Sequence, residues 1–304
     1  MQEKFQSWLS PPDPSLNHNT ACKIQHDGTA TWLIQGDTFR DWKKNGTLFW
    51  IRGNRTLLPL FLPLSLHLSI LIPSLISQRV LAKALFGMWI LIYFCGRAFI
   101  LSISSAIIED IKSMREATPA LIAFYYFDYK DASKRDVHGL LTSLLFQLAY
   151  DSGPCWDVLY QLYTKCRDGS ERPSDAALAE CLKTMLGLPG QLPIFVIMDA
   201  LDECPSNTGT PSAREEVLDF VEDLVQSNHS NLFICVTSRP EQDIQTAFSP
   251  LISYRVSLHE EGGQREDISN YVRSFVQKDR SMRRWREEDR ELVITILSER
   301  ANGM

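Results

Sequence analysis

Apolar and polar positions fall into blocks along the chain, and the block lengths predict its elements. Five short apolar runs have the length of buried strands: Leu48–Ile51, Ala123–Phe127, Pro193–Asp199, Leu232–Arg239 and the weaker Tyr254–Leu258. Between and after them, apolar residues recur at helical spacing. That spacing predicts helices near 31–43, 104–116, 135–150, 154–166, 174–187, 212–227, 264–277 and 287–301. Trp156, Tyr160 and Tyr163 share one helical face and are expected in the core. Apolar strands alternating with amphipathic helices predict an α/β domain, a mainly parallel sheet with helices on both faces. In such a sheet, polar residues at the C-terminal strand ends converge on the ligand crevice. Asp199 and Arg239 stand at that position.

Two segments depart from this rhythm. Residues 1–30 contain Pro11, Pro12 and Pro14 among Asn and Asp residues and read as a linker. Residues 54–99 form an apolar insertion: Leu57–Ser77 carries no formal charge, Ala84–Gly96 is almost wholly apolar, and Arg79 and Lys83 lie between. The expected division is therefore a linker over 1–30, the start of the domain over 31–53, the insertion over 54–99, and the remainder of the domain over 100–304. No repeat with a period of 20 to 50 residues is visible.

Composition narrows the function. A net charge of -6 argues against a general nucleic-acid surface, which needs clustered Lys and Arg. The one basic cluster, Arg280–Arg286, runs directly into the acids at 287–289 and reads as a solvated helix face. The seven cysteines are odd in number and show no C-x-x-C pair, and no two histidines stand four apart. That pattern suits buried thiols in a reducing compartment, so metal ligation by Cys or His is not expected. Met1–Ser10 is polar and lacks a signal-peptide pattern, which makes the cytoplasm the expected location.

The run Phe195–Glu203 is the strongest chemical signal. An apolar strand ending in a carboxylate buries a charge where it can hold a magnesium ion beside nucleotide phosphates, the role expected of Asp199. Glu203 is placed to polarise an attacking water and Asp202 to support the magnesium shell. One helix and one strand later, Thr237-Ser238-Arg239-Pro240 offers Arg239, whose guanidinium stays charged and can bond a γ-phosphate bidentately. A buried strand with an acidic turn, and a surface cation at a strand end, are the plain structural alternatives.

These motifs resemble the NACHT nucleotide-binding domain of fungal STAND-type P-loop NTPases, in the group of nephrocystin-3-like N-terminal domains. The likeness is carried by Trp8-Leu9-Ser10-Pro11-Pro12 with Asn17-His18, by Gly28–Leu33, by Leu48–Gly53, by Phe124–Asp128, by the Walker B run Phe195–Cys204 and by Val236–Pro240. The resemblance implies magnesium with ATP or GTP, a switch read by flanking domains, and self-association or signalling-domain partners. It also implies a helical region and repeats beyond Met304, so the chain is expected to be a C-terminally truncated fragment.

One departure is large. The family places G-x-x-x-x-G-K-[ST] after the first strand, whereas here Gly53 and Asn54 open that position, Arg55-Thr56-Leu57 follows, and the chain holds no Gly-Lys dipeptide. The pattern resumes only near Ile100, with Ser104–Asp110 matching the helix that follows the loop. More than forty intervening residues cannot form the short nest of backbone N–H groups that cradles phosphates. Weak or absent nucleotide binding and no hydrolysis are expected.

Three readings of the insertion stay open. Residues 57–77 are long enough for a membrane span, with Pro59, Pro63 and Pro73 against it. The segment could instead be an apolar excursion buried on the domain. The favoured reading is a retained intron or misplaced exon boundary, because the insertion begins and ends inside one motif. The expected function is accordingly a degenerate nucleotide-switch module. The alternatives are a non-catalytic interaction or scaffold domain, and a protein anchored in a membrane through residues 57–96.

Overall fold

A strand sends alternate side chains to opposite faces, and in four of the five strands among the described residues both sets are largely apolar and buried. That pattern forces the sheet to be covered on two sides. The computed structural model describes residues 2–24, 30–53, 103–207, 209–258 and parts of 267–300. The apolar runs at 57–77 and 84–96 lie outside the described residues. Among the described residues, no helix is long and apolar enough to cross a membrane.

The strands are β1 (Thr47–Arg52), β2 (Leu121–Tyr126), β3 (Ile194–Asp199), β4 (Leu232–Ser238) and β5 (Ile252–Ser257). They pair in the order β2-β3-β4-β1-β5, and every pairing is parallel. The α/β architecture expected from the strand–helix alternation is therefore present, and its all-parallel sheet is consistent with the P-loop NTPase-like fold that the resemblance implies. The helices are α1 (Gln2–Leu9), α2 (Ser15–Ile24), α3 (Thr31–Ile34), α4 (Asp37–Asn45), α5 (103–114), α6 (Val137–Asp151), α7 (Gly153–Lys165), α8 (Asp175–Leu186), α9 (Ala213–Gln226), α10 (Gln242–Phe248) and α11 (Glu287–Arg300). Four begin on side-chain caps in the sequence: Asp136, Ser152, Ser174 and Ser212 each accept a backbone N–H three residues on.

On one face Leu48, Trp50, Ala123, Val196, Met198, Ile234 and Val236 pack under residues of α6 to α10. On the other, Phe49, Ile51, Ile122, Tyr126, Phe195, Ile197 and Cys235 pack under α3, α4 and α5. This strict alternation fixes which way each strand-end side chain points.

Two expectations need correction. Residues 2–24 are not a linker but two helices: the prolines sit in the turn between α1 and α2, and Phe5, Trp8 and Leu9 are buried. The i, i+3, i+4 spacing of those three residues outweighs the composition around them. The Phe5 ring lies tilted, its centre 4.6 Å from those of both Trp156 and Tyr163, so α7 has its aromatic face covered by α1, although Tyr160 remains exposed. The single helix expected over 31–43 is broken at Gln35-Gly36, where Gly36 becomes the N-cap of α4.

Candidate functional site

The chemistry-bearing residues come from strands far apart in sequence. Because β4 lies between β1 and β3, all in parallel, the C-terminal ends of the three strands share one edge. Phe195 and Ile197 face the layer of α3, α4 and α5, so alternation turns Asp199 the same way. Phe233 and Cys235 do the same for Thr237. The result is a carboxylate only 1% exposed, pointing into the layer between the sheet and α5.

That carboxylate is held by two hydroxyls. Thr237 donates to Asp199 Oδ1 at 2.7 Å, and its own oxygen accepts the Ala200 N–H at 3.0 Å. Ser104, from α5, donates to the same Asp199 oxygen. Tyr126 stands opposite Asp199 in the strand register, and Cys235 lies two residues before Thr237. Burial first, and the Asp199 charge second among other nearby groups, push the Tyr126 phenol and the Cys235 thiol up, so both stay neutral beside it.

Just past β3 the chain turns through Ala200, at φ 56 and ψ 44, into a short 3-10 turn over Leu201–Glu203. Asp202 accepts the Arg239 backbone N–H at 3.0 Å and its Nε–H at 2.6 Å, and Arg239 also pairs with Glu241 at 3.2 Å. Arg214 of α9, 4% exposed, crosslinks the same region. It donates to the carbonyls of Cys204 and Asp202 and to the carboxylates of Glu241 and Asp243. Glu203 is buried and accepts the Tyr129 N–H at 3.3 Å.

Residues 95–239 of the chain match the family model described as Nephrocystin 3, N-terminal. Over that stretch, just under half of its length, the chain is similar to nephrocystin-3 N-terminal domains. No curated protein matches the chain. The nephrocystin-3-like segment takes in Ser104, Asp199, Asp202, Glu203, Thr237 and Arg239, whereas β1 and Gly53 precede it.

Within this nephrocystin-3-like arrangement, Asp199, Asp202, Glu203 and Arg239 come together at one edge. Gly53 joins them by donating its N–H to the Ser238 carbonyl at 3.1 Å. Asn54 lies outside the described residues. Arg239 and Asp202, expected to face a phosphate and a magnesium ion, are engaged with each other. Sequence reasoning missed Ser104 and Thr237 as site residues. Thr237 was legible from strand parity, since it continues the Phe233, Cys235 face. Ser104 was not, because its approach to Asp199 depends on how α5 docks.

Proposed function

We propose that this chain is a NACHT-type nucleotide-switch module whose acidic end is built and whose phosphate cradle is not, so that it binds triphosphate weakly and does not hydrolyse it. One observation supports the reading above the others. Asp199 and Arg239 end adjacent parallel strands at the same edge, and Asp199 is clasped by hydroxyls from α5 and β4. A carboxylate and two hydroxyls are hard oxygen donors, which fits magnesium, so Asp199 with Ser104 and Thr237 would hold the ion. When bound, magnesium would neutralise charge on the β and γ phosphates.

The remaining residues supply the switch. A triphosphate would compete with Asp202 for the Arg239 guanidinium. Exchanging one anion for the other would disturb Glu241 and, through it, Arg214 on α9. Affinity is limited by the sequence after β1, which lacks a Gly-Lys dipeptide. Losing roughly three charge-assisted hydrogen bonds of about 1.5–3 kcal/mol each weakens binding by about 10³- to 10⁶-fold.

The test is a titration of the full chain with fluorescent ATP and GTP analogues, with and without magnesium. Weak binding that needs magnesium and is lost in Asp199→Ala, without phosphate release, is the expected result. Sub-micromolar binding abolished by the same substitution would overturn the unbuilt-cradle part. Binding indifferent to magnesium and to Asp199 would remove the nucleotide site itself. The second reading, a non-catalytic interaction domain, is favoured by the Asp202–Arg239 pair, which neutralises the edge from within the chain. Complete absence of binding would select it.

A further inference from the structure

Beside the Tyr126 hydroxyl, three side chains of different chemistry converge. His18 and Cys22 come from one face of α2, one turn apart, and Glu109 comes from α5. His18 Nε2 lies 2.9 Å from Glu109 Oε1 and 3.6 Å from Cys22 Sγ, and the three donor atoms all fall within 4.8 Å of one another. Lys112 Nζ approaches as well, 3.1 Å from Nε2 and 2.9 Å from Glu109 Oε1.

We infer that His18, Cys22 and Glu109 form a three-ligand site for a zinc-class divalent cation, which clamps α2 onto α5.

An imidazole nitrogen has one in-plane lobe and supports one well-aligned hydrogen bond. Here a carboxylate, a thiol and an ammonium all crowd the same Nε2. Groups that crowd one lobe satisfy each other poorly by pairwise hydrogen bonds, and a central cation in place of the Lys112 ammonium satisfies the three ligand atoms together. Zn–S of about 2.3 Å and Zn–N of about 2.0–2.1 Å place sulfur and nitrogen about 3.5 Å apart on a tetrahedron. The Cys22 Sγ to His18 Nε2 separation is 3.6 Å.

The surroundings match a ligand set. His18 Nδ1 lies 3.0 Å from Tyr126 Oη, so with Nε2 on a metal the Nδ1–H donates to the phenol and fixes the ring. The imidazole is buried, whereas the Glu109 side chain is 49% exposed, giving an entry path and room for water as the fourth ligand. A thiolate with an imidazole selects zinc over magnesium or calcium. The Cys22 proton leaves to solvent on binding. Lys112 already presses a positive charge against two of the three donors. Its head lies 5.3 Å from the Phe124 ring centre and its side chain is 37% exposed, so it can withdraw.

The experiment uses the reduced full chain with Co²⁺ as a spectroscopic probe and Zn²⁺ as the competitor. One equivalent of Co²⁺ should give thiolate charge-transfer absorption with tetrahedral d–d bands, both erased by Zn²⁺. Cys22→Ser should abolish the charge-transfer band, and Tyr126→Phe should weaken binding about tenfold. Lys112→Met should tighten it by removing the competing ammonium. No charge-transfer band in either the parent or Lys112→Met overturns the site, as does an unchanged spectrum in Cys22→Ser. Circular dichroism of each variant separates a lost site from a lost fold. The proposed nucleotide role can fail without touching this result, because Asp199→Ala leaves the cobalt spectrum intact.

Discussion

Replacing Thr237 with Val tests the architecture around Asp199 without assuming any ligand. Val is close in shape, so the change removes a hydroxyl and leaves no cavity. That hydroxyl makes two bonds, donating to Asp199 Oδ1 at 2.7 Å and accepting from Ala200 N–H at 3.0 Å. Losing a hydrogen bond to a charged acceptor costs about 1.5–3 kcal/mol, and stranding a half-buried N–H costs about 1–3 kcal/mol more. Ser104 remains on the carboxylate and moderates the first loss. About 3 kcal/mol is the expected destabilisation, close to 6 °C in Tm at roughly 2 °C per kcal/mol for a chain of this size. Urea denaturation of the parent, Thr237→Val and Thr237→Ser gives the comparison. The Ser variant keeps the hydroxyl and should lose only about 1 kcal/mol, for its methyl group. A cycle with Asp199→Asn should show coupling of about 1 kcal/mol or more. If Val and Ser lose the same amount and the cycle is additive, Thr237 does not hold the carboxylate and the reasoning fails.

Other predictions follow from single contacts. Arg214→Met strips a buried guanidinium from two carbonyls and two carboxylates; a loss of about 3 kcal/mol in urea denaturation is expected, the low end for a broken buried pair because Glu241 and Asp243 are partly solvated. Gly139→Ala would place a Cβ 2.1 Å from the Ser133 carbonyl and 2.8 Å from the Tyr125 hydroxyl, so a loss of about 1–3 kcal/mol should appear by the same assay. Glu215, in the capping box of α9, has its pKa lowered by the Ser212 backbone N–H it accepts. The stability it adds is present above the unfolded carboxylate value of about 4.3 and is lost as pH falls through its lower folded value. Glu215→Gln should flatten that part of the acid limb in urea midpoints measured from pH 6 to 3.

The strands were legible because burial on two faces leaves unbroken apolar runs such as Ile194–Met198, closed by the acid Asp199. The N-terminal helices were obscured because Pro11, Pro12 and Pro14 dominate the composition of a segment whose Phe5, Trp8 and Leu9 already show helical spacing. Asp199 and Arg239 could be picked out as strand-end residues. Their partners could not, since Asp202 takes Arg239 through a turn set by Ala200 in the left-handed region.

Local order in this protein, its strands, helix caps and the acid that closes β3, is written in nearest-neighbour chemistry and hydrophobic period. The sequence alone determines it. Which strands become neighbours is decided by crossovers that bring β4 between β1 and β3, and only that order sets Thr237 against Asp199. The docking of α5 and α2 does the same for Ser104 and for His18, Cys22 and Glu109. Contacts between residues some ninety positions apart depend on the packing of whole layers, and no local spacing encodes them.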